Sequence, residues 1–173
     1  GAVLAMIETY IGADAFRRGL AAYFEGQKLS NATAGDLWHY LSQASGTDVA
    51  AVARSWTDQK GYPLLRARVT CESGKQTLHV EQQRFSVDDA VDTTSLWQVP
   101  FAVWAGNAAP MRFLLAGRSA RFATGPCTTA PLFVDSSAGF FRVQYATDHL
   151  RRLTRAFPEL SPSARLALLT DTF

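Results

Sequence analysis

The sequence predicts an α+β protein built from parts of several domains: a helical bundle remnant, an antiparallel β-sandwich of about seven strands, and C-terminal helices. Three observations carry this reading. Apolar residues recur at helical spacing up to about residue 60. From Leu64 they alternate with a period of two. Helical spacing returns from about Thr147. Several short strands with no helix between them favour a sandwich over a parallel sheet.

Four short helices are expected first. In AVLAMIETYI, Val3, Leu4, Ile7 and Ile11 share a stripe, and Gly12 suits the position after the last turn. Asp14 is expected to cap the next helix, with Phe16, Leu20, Tyr23 and Phe24 inward. Thr33 and Asp36 have the spacing of a capping box for a helix burying Leu37, Tyr40 and Leu41, closed by Gly46. A fourth helix turns Val49, Val52 and Trp56 inward and ends at Gly61. Tyr62-Pro63 cannot continue it, because proline lacks an N–H and restricts the residue before it.

The strand-like stretches cover 64–72, 76–86, 96–106, 111–124, 130–137 and 139–146. Along QTLHVEQQRF, Leu78, Val80 and Gln82 face one way, His79 and Glu81 the other. Beyond 147, Ser161 fits an N-cap with Pro162 in the first turn.

Composition narrows the function classes. The 173 residues are 47% hydrophobic and 18% charged with net charge +2, so nothing demands nucleic acid or an anionic membrane. No apolar run is long enough for a transmembrane helix. The opening stretch lacks the basic region of a secretory leader. Both ends fall inside periodic elements, which suggests a piece of a longer chain.

The residues form no complete active site. His39, His79 and His149 are in no H-E-x-x-H pattern, and no two are four apart. There is no G-x-S-x-G, no phosphate loop and no dinucleotide fingerprint. Asp88-Asp89 sits in a polar turn and reads as a solvated loop. The run HLRRLTR places Arg151 and Arg155 together with Arg152 to one side, without the interleaved aromatics of a stacking platform. Asn31-Ala32-Thr33 is a glycosylation sequon, but the helix cap accounts for it. Cys71 and Cys127 either pair, which implies a periplasmic or secreted setting, or stay as two thiols, as in a cytoplasmic protein.

Four segments in order carry a resemblance. GAVLAMIETYIGADAFRRGLAAYF, NATAGDLWHYL, ASGTDVAAVARSWTDQKGYPLL and LFVDSSAGFFRVQYATDHLRRL are similar to the zinc aminopeptidases of the aminopeptidase N type, the gluzincins. The resemblance implies that residues 1–62 are the last helices of a thermolysin-like catalytic domain. Residues 63–146 would be its β-sandwich domain, and 147–173 the start of an all-helical domain. It implies zinc and peptide substrates for the parent protein, and neighbouring domains of the same chain as partners. It also implies that the seam at Trp56, Gly61, Tyr62 and Pro63 is a domain junction. The family's zinc motif, exopeptidase loop and catalytic tyrosine precede this segment, so no catalytic, cofactor or metal residue is carried over. The expected role is a non-catalytic linking segment. The alternative is an independent β-sandwich binding module with helical flanks.

Overall fold

A computed structural model describes residues 1–28, 30–86 and 94–172. Asp88 and Asp89 lie outside the described residues.

Helix α1 spans Ala2–Ile11 and ends at Gly12, whose φ of 87° favours glycine and whose N–H donates to the Glu8 carbonyl at 2.8 Å. Helix α2 spans Ala13–Gly26. Its N-cap is Gly12, with no side-chain cap, rather than the expected Asp14. Asp14 lies inside the first turn, where its charge favours the helix's positive end, and pairs with Arg17 at 3.2 Å. The inward stripe also differs. Ala15 and Gly19 are buried, whereas Phe24 is 65% exposed. The reason is close approach to helix α3, Ala34–Ser45. A Cβ on Gly19 would lie 2.8 Å from the Leu41 side chain, so small residues occupy the contact and larger ones flank it.

Thr33 and Asp36 form the capping box. Asp36 N–H donates to Thr33 Oγ1 at 3.3 Å, and Thr33 N–H to Asp36 Oδ2 at 2.8 Å. The Thr33 hydroxyl and N–H hold the Asp36 carboxyl below its ordinary range. Helix α4 spans Val49–Thr57 and is capped by Asp48, which accepts from Ala51 N–H at 2.9 Å. It stops short of Gly61, with Asp58 at its C-cap. Gly61, at φ 91°, instead turns the chain into the first strand.

The strands are β1 Pro63–Glu72, β2 Lys75–Arg84, β3 Val99–Ala105, β4 Met111–Leu115, β5 Ser119–Pro126, β6 Leu132–Asp135 and β7 Arg142–Tyr145. One sheet has the order β5-β2-β1-β7 and the other β4-β3-β6. The 111–124 stretch divides between the two sheets, β4 in one and β5 in the other. One pairing departs from the antiparallel expectation: β1 and β7 run parallel, Leu65 beside Val143. The chain reaches β7 only after visiting the other sheet, a connection long enough to return in either direction.

Leu78 and Val80 are buried with Gln82, while Glu81 is exposed and His79 half-buried. Leu78 and Val80 join Leu65, Trp97, Phe133 and Val143 in the principal core, to which the helices contribute Met6, Val52 and Trp56. A second cluster, Ile7, Trp38, Leu41, Val49 and Ala53, holds the helices to one another.

Helix α5 spans Thr147–Arg155, and a 3-10 turn at Phe157–Glu159 leads to helix α6, Pro162–Thr172. Ser161 caps α6, its Oγ accepting from Ala164 N–H at 3.2 Å. Near the other end of α6, Asp171 Oδ2 accepts from Ser136 Oγ at 2.8 Å. Burial pushes the Asp171 carboxyl up to about 6. Ser136, the Val143 N–H and Arg142 oppose that rise, and Asp135 adds to it. A carboxyl whose folded pKa is raised binds its proton more tightly in the folded state. The chain therefore gains stability as pH falls from 7 through 6 towards the unfolded value near 4, by roughly 3 kcal/mol from this group. Asp171→Asn is expected to be more stable than the parent at pH 7, with the gap closing by pH 4. Urea unfolding of both at a series of pH values checks this; a constant gap refutes it.

Candidate functional site at the helix–sandwich junction

Ser55 and Trp56 at the end of α4, and Gln59 just beyond it, reach the segment that leads into β3. Trp56 Nε1 donates to the Gln98 carbonyl at 2.9 Å, and Gln98 N–H donates to Ser55 Oγ at 3.0 Å. Gln59 Nε2 donates to the Leu96 carbonyl at 2.7 Å. The Trp56 and Trp97 rings lie 6.3 Å apart at 46°. From the opposite side, the buried Gln82 amide holds Trp97 by both backbone groups. Nε2 donates to its carbonyl at 2.8 Å and Oε1 accepts from its N–H at 2.9 Å. Gln82 Nε2 also donates to the Gly117 carbonyl at 2.7 Å.

Pro63 is buried as the first residue of β1, a strand position where a missing N–H is tolerated. Tyr62 stacks on Phe85 at 5.0 Å and meets Phe140 at 5.3 Å. The Arg142 guanidinium lies 4.9 Å over the Phe85 ring. Gly61 sits close to Arg84, where a Cβ would meet Nε at 2.7 Å. The four seam residues thus share one region, with Trp56 on the α4 side and Tyr62 with Pro63 on the sandwich side. The expectation omitted Ser55, Gln59, Gln82 and Gln98. The signal for Gln82 was present, since it shares the apolar face of Leu78 and Val80.

The remaining candidates are dispersed. Cys71 and Cys127 form a disulfide with Cα atoms 5.8 Å apart, tying the β1–β2 hairpin to the segment after β5. The two carbonyls that follow, of Thr128 and Thr129, accept from Arg152 Nη2 at 3.3 and 2.9 Å. Arg151 pairs with Asp148 at 2.9 Å. His39 is exposed on α3. His149 is buried, stacks on Tyr145 at 5.7 Å, and donates from Nε2 to the Leu132 carbonyl at 2.7 Å. Burial lowers its pKa and keeps the imidazole neutral.

The zinc implied by the resemblance finds no ligand set here: among the described residues no three of His, Cys, Asp and Glu come together. No chemistry of that ion is assigned to them. Nor is any helix among the described residues long and apolar enough to cross a membrane.

Residues 1–56 match the Peptidase family M1 domain. That match stops at Trp56, inside the last turn of α4 and before the first strand. Over nearly the whole chain, the sequence is 32% identical to Aminopeptidase M1 of Arabidopsis thaliana, covering 99% of this chain and 21% of that protein. It is 34% identical to the puromycin-sensitive aminopeptidase of Caenorhabditis elegans, covering 95% of this chain and 18% of that protein. The chain belongs to the M1 aminopeptidases of the aminopeptidase N type. Aminopeptidase N of Lactococcus lactis is 37% identical over 58% of the chain and 12% of its own length. The chain thus spans about a fifth or less of the length of these relatives. Within this M1 aminopeptidase segment, the junction brings α4, both sheets and the buried Gln82–Trp97 bonds together.

Proposed function

We propose that this chain is the non-catalytic joint of a zinc-dependent aminopeptidase that removes N-terminal residues from peptides. In this reading residues 1–62 close the catalytic domain, 63–146 form the sandwich and 147–173 begin a helical domain. The observation that carries it is the bonding of α4 to residues 96–98 through Ser55, Trp56 and Gln59. Packing of Trp56 into the principal core, with Met6 and Val52, makes helices and sandwich one mechanical unit. Such a joint fixes the orientation of the domains on either side. The exposed Phe24, Phe140 and Leu166 favour this role over a self-contained binding module, whose surface would be polar.

The pure 173-residue chain is expected to bind no stoichiometric zinc and to leave aminoacyl-anilides intact. Metal analysis and a chromogenic hydrolysis assay test this, and activity above a boiled control overturns it.

The disulfide supports a parent that folds in an oxidising compartment, periplasmic or secreted. Protein isolated without reductant is expected to show no titratable thiol under denaturing conditions, and two after reduction. Two thiols before reduction would refute the placement.

A further inference from the structure

The outer face of the four-stranded sheet carries an unneutralised row of basic groups. Strand register sets Arg68 opposite His79 and His79 opposite Arg121. Like charges opposed across strands are destabilising, and such rows usually alternate in sign. Here the side chains of Arg68 and Arg121 make no ion pair or hydrogen bond to a described residue. The neighbouring Arg66 is held by Gln144 at 3.2 Å and faces Glu81 across the strands. His79 Nε2 lies 3.0 Å from Thr70 Oγ1. Its pKa is lowered by partial burial first, then by Arg68 and Arg121, while Glu72 acts the other way. Arg66, Arg68, His79, Glu81, Arg121 and Gln144 line a depression of about 720 Å³. Its rim includes Ala146 and Thr147, where α5 begins without a side-chain cap and with Asp148 in its first turn.

We propose that this face docks an acidic polypeptide segment in polyproline II conformation, with carboxylates three residues apart on Arg68 and Arg121. The spacing supports that geometry. Two interstrand steps of ~4.8 Å separate the arginines by ~10 Å at their backbones. A polyproline II chain advances ~3.1 Å per residue and returns to the same face every third residue, so its like-facing side chains recur at ~9 Å. An ordinary extended strand would turn the third residue away. Polyproline II also demands no backbone partners, which suits a segment lying across paired strands rather than along a free edge. A carboxylate on each arginine relieves the opposition across the row and favours protonated His79 between them. Docking therefore tightens as pH falls through the His79 titration.

The test uses the 173-residue chain and a labelled peptide, Pro-Glu-Pro-Pro-Glu-Pro, beside its glutamine counterpart. Fluorescence anisotropy is expected to show at least 10-fold weaker binding of the glutamine peptide. The double substitution Arg68→Gln with Arg121→Gln is expected to lose at least 10-fold for the acidic peptide, at an unchanged melting temperature. Arg121→Lys should retain most of the binding. The His79 pKa, read by NMR, should rise when the acidic peptide binds. Equal binding of both peptides, an unchanged affinity in the double variant, or a static His79 pKa overturns the proposal. So does competition by inorganic phosphate at an affinity equal to the peptide's, which would mark a site for small anions only. Should the double variant misfold, Arg121→Glu alone carries the same expectation.

Discussion

Gln82→Met is expected to lower the unfolding free energy of the chain by about 4 kcal/mol. Methionine matches glutamine in length and volume, so packing changes little. The loss is polar. Gln82 is fully buried and satisfies the Trp97 N–H, the Trp97 carbonyl and the Gly117 carbonyl. Each backbone group left buried without a partner costs on the order of 1–3 kcal/mol. The two Trp97 groups, both in buried bonds, together exceed what the apolar side chain regains, and the part-buried Gly117 carbonyl adds less. The effect should reach beyond β2, because Trp97 leads into the second sheet and Gly117 connects β4 to β5. Urea unfolding followed by tryptophan fluorescence measures the change. A loss below about 1 kcal/mol would mean that water replaces the amide, and the clamp would lose its structural role.

Trp56→Ala is expected to cost about 3–5 kcal/mol, the usual range for deleting a large buried aromatic. Trp56 is 7% exposed and belongs to the principal core although it lies on a helix. Its loss should also separate what the parent unfolds together. Amides of α1–α4 are expected to exchange with solvent ahead of those of β1 and β2, whereas in the unsubstituted chain both are expected to be protected as one unit. Trp56→Phe isolates the hydrogen bond to the Gln98 carbonyl and should cost only about 1–2 kcal/mol. If hydrogen exchange in Trp56→Ala stays uniform across helices and strands, the junction is not what couples them.

The particular elements explain what the sequence made legible. The helices of the first 57 residues and the strands after 63 follow from local period, which side-chain burial enforces within each element. The Thr33–Asp36 box and the Ser161 cap are equally local. Contacts between distant elements left weaker traces. Phe24 has the right spacing to face inward, but Gly19 brings α2 against Leu41 and shifts the buried stripe to small residues. Gly12 takes the cap expected of Asp14 because one glycine ends α1 and starts α2. The parallel pairing of β1 with β7 depends on the route of the intervening chain, which alternation within a strand does not encode. Gln82 showed its buried face, while its partners 15 and 35 positions away did not.

The parallel pair also sets how the sandwich carries load. The chain enters at the Pro63 end of β1 and leaves from the Tyr145 end of β7, with the two strands side by side and pointing the same way. Tension between α4 and α5 therefore pulls these neighbours in opposite directions along their common axis. Their ladder bonds are strained together, in shear, instead of opening one after another like a zipper. A sandwich strung this way yields late and stretches little, so a displacement on its helical side reaches α5 as a rigid push or pull.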